Sequence, residues 1–506
     1  MKLKKLLSCI LAAAMVLSVA ACGGNSSQTT SQDNTGAQAA DSAKEDNGDA
    51  AQAQNGDMVT ARAALIGVLD MTDAPMVQEA MNEILAEKYG IQCELTFISI
   101  GSWSQQSNLL LTGDSVDVMT YFGLPLSTFV NNGQCLALDD YVANAGDKFK
   151  SLFTEDQMNG CKINGVQYTI PNLRNYGGIE VVFFDEAKLT ELGYKAEDIK
   201  TMDDVSEVLY AAHEAYPDIY TVVPQSNSTF NNGWTWDGLG DANYIGVLGN
   251  RGQDTTVTDI FECQDFIDFC KYTHQWYEDG LMMGDALSNQ DTGTNMIQNG
   301  AAFASFSNRA NEPAPEGLTQ SVIIDCWCDS TNISQLTFGI NPLSSRQDAA
   351  WTLLEALYTD SDLMTLLIDG IEGVHYVLNE DGSASYPEGV TATSSTYGNA
   401  TTYWCMPYAD GVPAITDLGP ATFFEDLKDF NNSALLSKGT GFVLDTDGMG
   451  ITDEYAACIN VKEKYYDGLM NGILDPETVM AQAHEEMVAA GIDKVIAAKQ
   501  AALDEL

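Results

Sequence analysis

The chain is 506 residues long and carries 72 acidic against 23 basic side chains, a formal net charge of −49. That balance argues against binding of nucleic-acid phosphates or anionic lipid headgroups, and its plainest role is solubility. Four histidines leave little room for acid–base or metal chemistry. Beyond the first 21 residues no apolar run approaches the ~20 residues of a membrane span.

At the N-terminus, Lys2, Lys4 and Lys5 precede an apolar stretch from Leu6 to Ala21, which reads as a signal peptide over residues 1–21. Leu17, Ala20 and Ala21 lead into Cys22. This resembles the lipobox of bacterial lipoproteins, whose cysteine thiol receives a diacylglyceryl group, and it implies lipidation at Cys22 with acyl chains such as palmitate. The alternative is an ordinary signal with an incidental cysteine. From Gly23 to Asp57 there is no Val, Ile, Leu, Met or aromatic residue, so the tract buries too little apolar surface to offset its ordering entropy. Residues 22–57 are therefore expected to tether the body, with an r.m.s. span of roughly 30 Å. The body is expected outside the cytoplasm, lipid-anchored on the outer face of the plasma membrane. About 450 residues remain, enough for two lobes with large cores.

The body opens with AALIGVL (63–69), a buried-strand run. In APMVQEAMNEILAEKYG, Val77, Met81, Ile84, Leu85 and Tyr89 fall at helical spacing and Gly90 supplies a C-terminal stop. IQCELTFISI alternates as a strand, SWSQQSNLLLTG reads as a helix, and VDVMTYF is a third strand. This βαβαβ order predicts a right-handed parallel sheet. Ligands of open α/β sheets bind beyond the carboxyl ends of the strands, which draws attention to Trp103 and Tyr121. A second α/β stretch follows: IEVVFFDEAKLTELGY as strand and helix, TMDDVSEVLYAAHEAYPD as a helix with an acidic first turn, and IYTVVPQ as a strand. SSRQDAAWTLLEALYTDSDLMTLLIDG gives two helices, and the last fifty residues are largely helical. Setting aside Cys9 and Cys22 leaves nine of eleven cysteines without a regular framework, so buried free thiols are expected.

Catalytic motifs fail on their own terms. GxSxG is absent, and His484–Glu485 meets Val488 where a zinc site needs a second histidine. DTDGMGITDEYA from Asp445 has Met449 and Ala456 at positions where a calcium loop needs oxygen ligands. Neither catalytic residue, metal nor cofactor is expected. Aromatic residues in polar loops say more. Trp234 and Trp236 sit in FNNGWTWDGLG, a poor setting for core tryptophans and a good one for a sugar platform, which needs flat rings beside planar hydrogen-bonding groups. Packing against a neighbouring loop is the other reading. Trp404 in YWCMPYADG has the same character, and Trp327 between two cysteines suits a core equally well. Arg174, flanked by Asn172, Asn175 and Tyr176, either clamps a ligand or pairs with one of the chain's own carboxylates. His375 either contacts ligand or orders its turn with Glu372.

Lipobox, tether, the opening βαβαβ, VDVMTYF followed by GQCLALDDYV, and INGVQYTIP are together similar to extracellular solute-binding lipoproteins of ABC importers. GIEGVHYVL (370–378), TGFVLDTDGMGITDEYAA (440–457) and AAGIDKVIAAKQAALDEL (489–506) resemble the branch with a C-terminal domain of unknown function, often described as sugar or oligosaccharide binders. The resemblance implies an α/β, two-lobe periplasmic-binding-protein-like fold of type II, each lobe a sheet flanked by helices with a ligand cleft between. Lobe 1 is then expected over 58–172 and about 310–375, and lobe 2 over 173–309 and about 376–506. It also implies that Tyr121, Trp234, Trp236, Phe306, Asn308 and Phe442 approach the cleft. The implied partners are a small solute, a carbohydrate, and ABC permease subunits, with the protein itself expected to be a monomer. A surface glycan hydrolase, an adhesin, or an importer component for a peptide or other polar solute are the alternatives.

Overall fold

A computed structural model describes residues 58–226, 229–231, 233–309 and 312–506, so the expected signal peptide, Cys22 and tether lie outside the described residues. Residues 57–506 form one compact unit. In chain order the strands of its two large sheets begin with β1 (Val59–Gly67), β2 (Ile91–Ser99), β3 (Val118–Phe122), β4 (Ile170–Pro171) and β5 (Gly178–Asp185). They continue with β6 (Tyr220–Val223), β7 (Ala302–Arg309), β8 (Leu318–Cys328), β9 (Leu336–Ile340) and β10 (Leu435–Leu436).

The first sheet has the order β2-β1-β3-β9-β4. β1 pairs in parallel with both β2 and β3, as the βαβαβ pattern predicts, whereas β9 returns antiparallel to β3, with Leu336 opposite Phe122. The helix Ala74–Tyr89 buries Val77, Met81 and Leu85 and stops at Gly90 (φ +68°), whose N–H donates to the Leu85 carbonyl. The second sheet runs β10-β8-β5-β7-β6, with β5 antiparallel to both of its neighbours. The helix Met202–Ala215 beside it carries a capping box between Thr201 and Asp204. Thr452–Met470, Pro476–Ala490 and Ile492–Leu503 close the chain as three helices, and residues of all three join the core that covers this sheet.

The chain first changes sheets after Pro171, close to the expected boundary, and then at points other than those expected. β8 was assigned with 310–375 to the first lobe, yet it pairs with β5 from Leu318–Asp185 to Trp327–Gly178, because its apolar residues complete the second sheet. Conversely Tyr397, Tyr403, Cys405, Met406, Tyr408 and Phe424, expected in the second lobe, are buried in the first-sheet core. Crossings therefore fall between β4 and β5, between β8 and β9, and between Leu427 and β10. All nine described cysteines are free thiols, eight of them buried, and burial pushes Cys93 up to about 12.

One buried carboxylate ties the first sheet together. Asp117, at the foot of β3, accepts from the Arg62 backbone N–H (2.7 Å), from Arg62 Nε (2.9 Å) and Nη2 (2.7 Å), and from Ser344 Oγ (2.7 Å) just past β9. Burial opposes its ionisation, but these donors prevail and hold it below the usual carboxylate range. Removing one partner of a buried pair strands the other's charge. We expect Asp117→Ala to destabilise the protein by about 3 kcal/mol in urea unfolding near neutral pH. A depressed pKa contributes stability above the unfolded value and loses it as pH falls through the folded one, so the wild-type advantage should shrink in acid.

Candidate functional site

Two adjoining cavities lie where the carboxyl end of β3 faces the second sheet. The first, about 460 Å³, is bounded on one side by Phe122, Leu124, Pro125 and Lys162, and on the other by Gly240, Ala242 and the turn 441–444. Gly123 (φ +88°) opens the turn after β3, a conformation that glycine adopts without strain. The second, about 320 Å³, shares Ala242, Thr331 and Gln335 with the first and deepens toward β5, β7 and β8. Glu180, Asn308, Trp327 and Asp329 come from those strands and their ends, and Trp236, Asp237, Asp241 and Tyr244 from the loop after β6. At the rim, Asn131 Nδ2 donates to Asp445 Oδ2 (3.0 Å), joining the helix after β3 to the C-terminal region.

The loop that carries Trp236 is held in an unfavourable conformation. Leu239, Tyr244, Asn250 and Arg251 all have φ between +52° and +59°, four of the five positive-φ non-glycine residues described. Such geometry survives only where surroundings over-determine it, and three contacts do so. Asp237 accepts from Leu239 N–H (2.8 Å), Ser330 N–H (2.9 Å) and Ser330 Oγ (2.6 Å). Asp241 accepts from Asn243 N–H (2.7 Å), Ile245 N–H (3.0 Å) and the Tyr455 hydroxyl (2.6 Å). Lys499, fully buried on the last helix, donates from Nζ to the carbonyls of Gly238 (2.9 Å) and Gly246 (3.0 Å) and reaches Asp241 at 3.5 Å. Burial lowers its pKa, and Asp241 opposes that shift.

Two further carboxylates border the second cavity. Glu180, with no exposed surface, accepts one Nδ2–H from Asn308 (2.5 Å) and one from Asn231 (3.0 Å). Burial raises it to about 7, with both carboxamides pulling the other way. Asp329 accepts with one oxygen from Thr331 N–H, Thr331 Oγ1 and Asn332 N–H. Its other oxygen makes no such bond among the described residues. Burial, then the Asp237 charge, push it upward.

Of the residues singled out in the sequence, Trp236, Asn308, Trp327 and Phe442 line these cavities. The others do not. Trp103 is a core residue, and Tyr121 turns inward to donate its hydroxyl to the Gln134 carbonyl (2.7 Å). Trp234 packs on Phe269 and Phe306, and Phe306 itself is wholly enclosed by Phe230, Trp234, Phe269 and Trp276. Asn172 Nδ2 donates to the Trp404 carbonyl (2.7 Å), and the Trp404 ring packs against the first core. Tyr176 is buried with Cys161 and Cys328. Arg174 donates to the Asn175 carbonyl (2.9 Å) and to the Asn332 carbonyl, stiffening a crossing rather than clamping a ligand. His375 accepts from Ile371 N–H (2.9 Å) and faces Asp73 (3.3 Å), so its turn is ordered by Asp73 and not by Glu372. Sequence reasoning missed Glu180, although a lone carboxylate inside GIEVVFF was a signal. It missed Asp329 and Tyr244 as well. Among the described residues no His, Cys, Asp and Glu side chains form a metal-holding group of three or more.

The sequence matches the family described as bacterial extracellular solute-binding protein over residues 70–363, and a domain of unknown function (DUF3502) over 438–506. No curated protein sequence matches. Among solved structures, the chain is similar to the N-glycan transport solute binding protein NgtS of Streptococcus pneumoniae, with 18% identity, TM-score 0.71, and 88% of this chain and 98% of that one covered. A human-milk-oligosaccharide ("HMO") binding, ABC-transporter associated solute binding protein of Bifidobacterium longum infantis gives 16% identity and TM-score 0.60 over 88% and 99%. The substrate binding protein FusA of S. pneumoniae, in complex with kestose, gives 14% and 0.56 over 88% and 98%. Two α/β lobes with a cleft between them are thus a shared fold, and the family match covers more than half of the sequence. The chain belongs to the bacterial extracellular solute-binding protein family, the capture components of ABC importers.

Proposed function

We propose that the solute is a carbohydrate, a mono- or oligosaccharide, gripped between the lobes and handed unaltered to membrane permease subunits by a monomer anchored through Cys22. The observation that carries this reading is the lining of the second cavity. Trp236 and Trp327, both largely enclosed, give it an aromatic lining, and Glu180, Asn308, Asp329, Asn332 and Gln335 are planar hydrogen-bonding groups beside them. Sugar rings present C–H faces and a rim of hydroxyls, so they match both kinds of surface at once. Relatives of the same fold are described with N-glycan fragments and with kestose, which supports the reading.

The first-sheet wall of Phe122, Leu124 and Pro125 approaches from the opposite side, and the two lobes close over the guest. Closure is favoured by the differential affinity of the sugar for the closed arrangement, and the permease reverses it by preferring another. Binding to the native state alone adds RT ln(1 + [L]/Kd), about 2.7 kcal/mol at a hundredfold excess over Kd.

A melting assay of the full chain against mono- and oligosaccharides and peptides tests the assignment. A sugar should raise the midpoint by several degrees, and Trp236→Ala should abolish most of the shift. A peptide-only response refutes the carbohydrate, and turnover of the sugar refutes simple capture. Glu180→Gln gives an independent check without ligand. A carboxyl raised to about 7 in the fold from an ordinary 4.5 contributes stability below 4.5 and loses it as pH rises through 7. The variant should therefore gain on wild type between pH 5 and pH 8, on the order of 2 kcal/mol. A pH-independent difference would show that Glu180 is ionised in the fold throughout.

A further inference from the structure

The two cavities differ in charge. Lys162 borders the first, whereas Glu180, Asp237, Asp241 and Asp329 line the second with no Lys or Arg among them. Three cations stand behind this wall, one of them Lys462, which lies over the Tyr466 ring (4.2 Å) and within electrostatic reach of Asp241. Lys499 is committed to Asp241 and two carbonyls, and Arg174, near Asp329, to the carbonyls of Asn175 and Asn332. Glu180 is answered only by neutral carboxamides. Trp236 is 2% exposed and borders this cavity, but its indole N–H lies beside the hydroxyl of Tyr466, a core residue outside the lining.

We infer that the second cavity selects the charge of its guest, accepting a neutral or amine-bearing sugar residue and excluding acid sugars such as uronates, sialates and sulfated units. The inference rests on the carbohydrate reading and narrows it. Neutral hydroxyls donate to Glu180 and Asp329 and accept from the Asn332 and Gln335 carboxamides that border the same cavity, and a protonated amine gains further from the carboxylates. A carboxylate or sulfate in the same place meets two ionisable acids with no Lys or Arg in the lining to pair with.

The test is a glycan array in which each backbone appears with a neutral, a free-amine, and a uronate- or sialate-bearing residue, probed with the labelled full chain. Reading it at 1 M salt, where the Debye length is about 3 Å, removes the contribution of the generally acidic surface. Neutral and amine forms should bind, with the acidic form of the same backbone weaker by roughly 30-fold or more. Combining Glu180→Gln with Asp329→Asn should shrink that gap to a few-fold. An acidic form bound as tightly as its neutral parent overturns the inference and leaves the carbohydrate reading intact. Silence toward every glycan overturns both. The wild-type comparison decides the matter even if the double variant fails to fold.

Discussion

The cleft depends on one carboxylate whose oxygens are already engaged. Asp237 is wholly buried, and its two oxygens are taken by the N–H of Leu239 and by both donors of Ser330. One end of that contact is the strained loop carrying Trp236, and the other is the segment through which the chain passes from β8 to β9. The aromatic platform is thereby fixed to the crossing itself rather than to the face of a sheet.

This division of labour sorts a crowd of acids into two kinds. Asp237, Asp241 and Asp117 face converging donors and serve as internal struts, each saturated by backbone and side-chain hydrogens. Glu180 and Asp329 are less fully satisfied and border open volume. Burying a polar group is tolerable when it is hydrogen-bonded, and incomplete satisfaction next to a cavity is the mark of a place kept for something else. Seventy-two acidic residues therefore do not make seventy-two candidates. Glu180 has only two donors and Asp329 receives all three of its own on one oxygen, whereas Asp117, Asp237 and Asp241 are engaged at both oxygens.

Much of the first sheet was legible, since β1 to β3 and the helix Ala74–Tyr89 announce themselves through apolar runs, helical spacing and Gly90. The three closing helices were legible for the same reason. What escaped was non-local. β9 enters between β3 and β4 from more than 160 residues downstream of β4, and nothing in LTFGI names its neighbours. Trp234 looks solvent-facing among Asn and Gly, but its partners Phe269 and Phe306 are supplied by a distant helix and strand. Half-right readings have a common cause. Polarity of the flanking sequence shows that a loop is present, and only packing shows which of two tryptophans two residues apart faces the cavity and which turns into the core.

Lys499 gives this architecture a temporal side. It sits 261 positions after Gly238, whose carbonyl it secures, and so far-flung a partner places the pair among the slowest contacts of the fold to form. The aromatic loop emerges in the first half of translation, its Asp237 and Asp241 turns can close before the C-terminus exists, and its Lys499 contacts await the final helix. A nascent or clipped chain lacking that helix would carry intact sheets and an unset snare, so competence to seize cargo marks a finished molecule.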